Sequence, residues 1–238
     1  MTSGPHAAAD APEFDAYAGR YDEALNQGLS VVGENKEFFA RERLRWVRRR
    51  LGREAAEGRA LLDFGCGTGA STPFFFHELG VARVVGVDVS DGLLDVARAD
   101  FGADPRVAFS RIDRFPAAGD FDLAFVNGVF HHIPPAERSA ALAYVHASLR
   151  PGGVFAFWEN NPWNPGTRYI MNRVEFDRDA VTITPPEARR LLQGAGFRVL
   201  HTDSRFFFPR PLAWLRPLER WLARLPIGGQ YLVLAARS

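Results

Sequence analysis

The sequence predicts an α/β fold: a doubly wound, mainly parallel sheet covered by helices on both faces. Three observations predict it. After Arg59, short apolar runs of strand character alternate with stretches of helical period. The first run ends in a glycine-rich turn, LLDFGCGTGA at 61–70, that leads into a helix. The length, 238 residues at 47% hydrophobic and 24% charged, suits one large core and would cramp two.

In chain order, the Ala/Pro/Gly-rich residues 1–12 are expected to be disordered. Residues 13–52 carry two helical patterns. One runs through Phe14, Tyr17 and Tyr21. The other, Glu34 to Leu51, turns Phe38, Phe39, Leu44 and Val47 inward and an arginine-rich side outward. Strands are expected at 60–66, 83–89, 106–113, 122–130, 154–159, 197–208 and 231–237. Helices are expected at 71–79, 91–101, 135–149 and 185–194, with Pro-Gly-Gly at 151–153 turning the chain. FFF at 74–76 reads as the buried side of its helix; FFF at 206–208 fits either strand core or pocket wall. Residues 160–184 and 209–229 are long insertions near one sheet edge, where they can roof a pocket on the substrate side. The domain is thus expected to span 13–238.

Composition excludes several classes. A net charge of +1 calls for neither nucleic acid nor a membrane surface. Cys66 is the only cysteine, so no internal disulfide is expected, and its place between glycines suits packing better than reactivity. The first residues lack the pattern of a secretory signal, and no apolar run is long enough to span a bilayer, so the cytoplasm is the expected compartment.

The glycines pose the functional question. Gly65, Gly67 and Ala70 satisfy G-x-G-x-x-G/A, and Asp88 follows about 20 residues on, as in dinucleotide sites. Asp63 argues for another ligand. A carboxylate beside a pyrophosphate repels it, whereas beside the ammonium and sulfonium of S-adenosylmethionine it attracts. Two bland readings stand beside these: Asp63 as a turn cap, and Asp88 as the acid of a nicotinamide site.

LLDFGCGTGAST, VVGVDVS, RIDRFP, FDLAFVNGVFHHIPP and LRPGGVFAFWE, in this order over about 60–160, together resemble class I S-adenosylmethionine-dependent methyltransferases. The resemblance implies a Rossmann-like sheet of about seven strands with the last antiparallel. It implies that Asp63, Gly65, Cys66 and Gly67 border the methionine part of the cofactor, that Asp88 with Val89 holds the ribose, that Asp113 faces the adenine amine, and that Asn127 lies near the sulfur. Arg114 is a basic departure that can pair with Asp113 instead. Tyr17 and Tyr21 resemble the N-terminal helix that closes over the cofactor in small-molecule methyltransferases, making 13–58 a helical lid. The insertions and the chain end are similar to a bacterial subgroup found among sugar, polysaccharide and secondary-metabolite pathways.

For the chemistry, a base must lie beyond the fourth and fifth strands, where the candidates are His131, His132 and Glu159. Adjacent strand residues point to opposite faces, so the two histidines are not expected to face one substrate or share a metal, and no metal is expected. Glu159 can orient or deprotonate an acceptor hydroxyl, or bond the loop that follows. Asn161-Pro162-Trp163 superficially resembles the tetrad of DNA amine methyltransferases. It follows the wrong strand, so Trp163 reads as a pocket wall and nucleic acid is not expected. In 209–229, Leu215, Leu218, Leu222 and Leu225 recur at helical spacing beside Arg216, Arg220 and Arg224. That fits a short helix packed on its own domain better than one lying on a membrane, and the arginines can alternatively meet an acidic sugar or phosphate. The expected activity is methyl transfer, by in-line displacement, to an oxygen of a small molecule such as a sugar, polyketide or lipid-linked acceptor. The rivals are an NAD(P)-dependent oxidoreductase and a non-catalytic scaffold.

Overall fold

The computed structural model describes Asp15, Gly28 and residues 30–52, 57–178 and 180–238. Tyr17 and Tyr21, with the rest of 16–27 in the expected lid, lie outside the described residues.

Helix α1, Lys36–Leu51, begins where the Asn35 side chain accepts from the Phe38 N–H at 2.9 Å, and ends at Gly52 with φ +94°. It buries Phe39, Ala40, Leu44, Trp46 and Val47. Arg43, expected on the outer side, is buried too, its Nε donating to Gln230 Oε1 at 2.8 Å. Strand β1, Ala60–Phe64, stops where Gly65 turns to φ +69°. The short helix α2, Thr72–Phe74, opens into a wider π-type turn over Phe75–Leu79, and Gly80 at φ +70° ends it. Phe74 and Phe75 enter the core as expected; Phe76 is only half-buried.

Strand β2, Arg83–Asp88, and helix α3, Asp91–Phe101, capped by the Ser90 hydroxyl, follow the expected pattern. Strand β3, Val107–Arg111, ends early because Ile112–Arg114 coil into a 3₁₀ turn. Strand β4, Phe121–Asn127, helix α4, Arg138–Ser148, and strand β5, Leu149–Asn160, come next. Pro-Gly-Gly does not end an element: it lies within β5, opposite a register shift between Phe121 and Leu123. Helix α5, Pro165–Met171, and a 3₁₀ turn at Glu175–Asp177 occupy the first insertion. Helix α6, Pro185–Gly194, precedes strand β6, Phe197–Arg205. The second insertion holds a 3₁₀ stretch, Arg210–Leu218, and a single-turn helix α7, Glu219–Leu222, before strand β7, Gln230–Arg237.

The sheet has seven strands in the order β3-β2-β1-β4-β5-β7-β6, with β7 antiparallel to both neighbours and the other pairings parallel. Alternate residues feed two cores. Leu62, Phe64, Val126, Phe157 and Tyr231 pack on one face; Leu61, Phe125, Trp158 and Leu234 pack on the other. The strand order reverses between β1 and β4, so the carboxyl ends of β2, β1 and β4 open side by side into the crevice where such sheets bind ligands. The two insertions meet at that edge: Asn161, fully buried, donates through Nδ2 to the carbonyls of Pro226 and Gly228.

Candidate active site

The turn after β1 is built from glycines because it needs them. Gly65, Gly67 and Gly69 all have positive φ, and a Cβ on Gly65 would lie 2.4 Å from a Val129 methyl. Gly67 differs: a Cβ there would meet nothing within 4 Å, so its backbone faces open space. The Gly67 N–H donates to Asp88 Oδ2 at 2.8 Å, and the Ser90 N–H to Asp88 Oδ1 at 3.0 Å. Asp88 is therefore fixed at the end of β2; burial raises its pKa, and the two backbone donors moderate the rise. Val89 is half-buried against the core, its carbonyl accepting from Arg111.

Asp63 is the unusual group. It is 4% exposed, and among the described residues no donor reaches its carboxylate. Burial, with Asp88 adding to it, pushes its pKa up to about 8. Such a carboxyl waits for a cation. The reading of Asp63 as a turn cap finds no support, since it bonds no backbone N–H there.

Cys66 sends its sulfur inward, against the position a Cβ of Gly86 would take, and its thiol pKa is driven well up by burial. Its backbone N–H is spent on the Val87 carbonyl, so it shapes the turn from behind. Asp113 does not pair with Arg114. Arg111 takes it, with Nε 3.0 Å from Oδ1, and that bond holds the Asp113 carboxyl below its usual range. Asp15 accepts from the Ser90 hydroxyl at 2.5 Å and from the Gly92 N–H at 3.0 Å, which places it beside the Asp88 loop.

Asn127 ends β4 at a cavity of about 350 Å³, and its buried Oδ1 has no hydrogen-bond partner. Aromatic and aliphatic side chains line this cavity, among them Phe38, Phe39, Met171, Val174 and Phe206 to Phe208, with Lys36, Arg43, His131, His132 and Arg216 as its basic groups and Glu34 and Asp177 as its acids. Phe206–Phe208 are thus pocket wall; the strand ends before them, at Arg205, and Phe206 itself takes φ +63°. Trp163 is 47% exposed and lies away from this lining, unlike Asn160 and Asn164 around it.

The histidines overturn a sequence expectation. Gly128, at φ +66°, takes the chain out of β4 before they are reached, so strand alternation does not apply. Their rings lie 4.1 Å apart, and both Nε2 atoms point at Asp177 Oδ1, at 3.3 Å from His131 and 3.2 Å from His132. The three ligand atoms lie within 4.8 Å of one another, so geometry does not forbid a shared ion. Behind them, His131 Nδ1 is 2.6 Å from Glu159 Oε2, while Glu159 Oε1 accepts from the Phe130 N–H at 2.8 Å. Burial disfavours a charge on His131, but Glu159 and Asp177 outweigh it and hold the imidazolium up to about 10. Burial likewise opposes ionisation of Asp177, and the two histidines overcome it, lowering that carboxyl to about 2. Glu159 is 1% exposed and fully engaged, so it positions His131 and does not reach a substrate. His132 is the more open ring. Asp177 was not singled out from sequence; it lies 46 residues beyond His131, inside an insertion with no local motif.

Similarity to known proteins agrees with the geometry. A methyltransferase-domain family model matches residues 61–153. An uncharacterized methyltransferase of Synechocystis sp. is 30% identical over 148 residues, covering 60% of this chain and 68% of that protein. The chain belongs to the class I S-adenosylmethionine-dependent methyltransferases. A trans-aconitate 2-methyltransferase of Azoarcus sp. is 38% identical over 121 residues, 50% of this methyltransferase and 46% of the relative. In fold, it matches the crystal structure of an S-adenosylmethionine-dependent methyltransferase from Mesorhizobium loti, with TM-score 0.60 and 24% identity over 81% of this chain and 96% of the other. The methyltransferase spans less than half the length of the first curated relatives it matches. The family's cofactor is S-adenosylmethionine, and the residues here suit it: a buried acid, Asp63, that takes no hydrogen bond from the described residues, backbone at Gly67 that faces open space among them, and a second buried acid, Asp88, at the end of β2.

Proposed function

We propose that this protein transfers a methyl group from S-adenosylmethionine to an oxygen of a small molecule held in the cavity beyond Asn127. The observation that carries the reading is Asp63, a buried carboxyl to which no described residue donates, at the turn where the cofactor's ammonium would neutralise it. A pyrophosphate in the same place would meet the buried Asp63, an acid that a dinucleotide site does not call for, which disfavours the nicotinamide alternative. When bound, the cofactor supplies an activated methyl on a sulfonium.

The chain's own residues then align and deprotonate. Asp63 and the Gly67 backbone would hold the methionine part, Asp88 the ribose, and Asn127 Oδ1, lacking a partner, has acceptor capacity to spare at the cavity. The apolar lining keeps water from the acceptor. His132 is the base that fits, because His131 holds its own proton at neutral pH. His132 would take the acceptor's proton while the acceptor oxygen receives the cofactor's methyl, the electron pair of that bond being left on sulfur. Displacement at a sulfonium needs no metal, and the His131 imidazolium already supplies positive charge between Glu159 and Asp177. An acceptor with an apolar body and a polar or acidic end suits this lining; the trans-aconitate named for one relative is an acidic acceptor of small size.

Calorimetry with S-adenosylhomocysteine and with NAD(P) tests the cofactor. Tight binding of the first and none of the second is expected; the reverse overturns the reading. Incubating a bacterial extract with methyl-labelled cofactor and tracing the label by mass spectrometry then identifies the acceptor.

A further inference from the structure

The second insertion is folded inside out. Its one acid, Glu219, is 2% exposed, and its carboxylate accepts from the Phe206, Phe207 and Phe208 N–H groups and pairs with Arg205 at 3.2 Å. Ala223 is buried as well, its carbonyl held by the Ser204 N–H. The large apolar residues face outward instead: Trp214 is 75% exposed, Trp221 64%, Ile227 56%, Leu225 47% and Leu218 43%. Of the leucines expected to pack on the domain, Leu215 and Leu222 are half-buried and Leu218 and Leu225 face outward, and no residue of Arg210–Leu218 is fully buried. Trp214 and Leu218 lie in the 3₁₀ stretch, Trp221 in the single-turn helix and Leu225 just beyond it, so the exposed apolar side chains come from one short continuous segment. A rigidly clamped segment that hides its acid and displays tryptophans is built to meet another apolar surface.

We propose that this face is a docking surface for an anionic lipid bilayer. Charge selects that occupant. With Glu219 buried, the displayed charges of the insertion are arginines: Arg210, Arg220 and Arg224 are exposed, and the Arg220 guanidinium stacks 3.7 Å over the Trp221 ring. A twofold contact with a second copy would press these arginines against their own images, whereas anionic headgroups neutralise them. Tryptophan and arginine side by side suit the headgroup boundary, where the ring is half apolar and the cation meets phosphate. The first insertion is tied to the second by the Asn164 Nδ2 bond to the Ile227 carbonyl at 2.7 Å. Pro209 and Arg216 belong both to this insertion and to the lining of the cavity, so a bilayer here would border the acceptor site. The docking itself does not depend on the methyl-transfer reading.

The test uses the full chain with vesicles of phosphatidylglycerol and phosphatidylcholine in equal parts, and with phosphatidylcholine alone. Co-sedimentation and a blue shift of tryptophan emission are expected with the mixed vesicles, at least about tenfold stronger than with the neutral ones and weakened by salt. Trp214→Ser/Trp221→Ser and, separately, Arg220→Gln/Arg224→Gln should each weaken binding at least about tenfold. S-adenosylhomocysteine affinity should stay at the parent value, since none of these residues lines the cavity. Absence of binding to the mixed vesicles, unaltered binding by both double variants, or light scattering showing a dimer that buries these tryptophans overturns the proposal. Failure of cofactor binding in the parent protein would instead strike the methyl-transfer reading and leave this one standing.

Discussion

Replacing Asp63 by Asn should move stability and cofactor affinity in opposite directions. The folded pKa of Asp63 is raised from 3.8 to about 8 by burial and by Asp88. A carboxyl so raised binds its proton more tightly folded than unfolded. Stability is therefore greatest below about pH 4 and falls as pH climbs towards 8. Each unit of pH within that window costs about 1.4 kcal/mol, so at pH 7 the ceiling on the loss is about 4 kcal/mol. Asparagine has the shape and the unmet polarity of the protonated acid but cannot ionise, so the variant should recover much of that loss. For a chain of this size each recovered kcal/mol raises Tm by about 2–4 °C. The ligand-free variant should thus melt several degrees higher than the parent at pH 8 and equally at pH 4, by differential scanning fluorimetry. Its affinity for S-adenosylmethionine should meanwhile fall at least about tenfold, the worth of a charge-assisted contact. Parent affinity should climb with pH up to about 8, because the acid must ionise to face an ammonium. A variant that melts lower at every pH while binding the cofactor as tightly as the parent would refute the argument.

Three further outcomes follow from the same geometry. Gly67→Ala, at φ +52° with no protein atom near the new methyl, should cost the fold about 1–2 kcal/mol in chemical denaturation yet weaken cofactor binding by more than that loss explains. Glu159→Gln removes one of the two carboxylates that face the buried His131 and leaves Asp177, so stability at pH 7 should drop by about 1–3 kcal/mol in urea titrations, and the drop should shrink as pH rises through about 10, where His131 has lost its proton in the parent. His132→Gln should lower kcat by about 10²–10⁴ without changing S-adenosylhomocysteine affinity in calorimetry.

Legibility in the sequence tracked how local each feature is. The β1 turn and Asp88 were readable because the positive φ values and the bond from Gly67 to Asp88 follow from a strand–turn–helix of fixed spacing. The partner of Asp113 was within reach as well, but the nearer cation in sequence, Arg114, lost to Arg111, whose position at the end of β3 puts Nε on the carboxylate. The histidine pair was misread because alternation was carried past Asn127, when a glycine had already turned the chain. Asp177 had no local signal at all: its role exists only once the first insertion folds back over the end of β4. In the second insertion the leucine spacing was visible, and its orientation was not. Helical periodicity says which residues share a side but not which side is inward, and here the deciding interaction is Glu219 taking the three N–H groups that follow β6. A buried acid can thus reverse the face that hydrophobic pattern alone assigns to the core, which makes the backbone N–H groups that close a strand the place to look before reading an amphipathic insertion as packed.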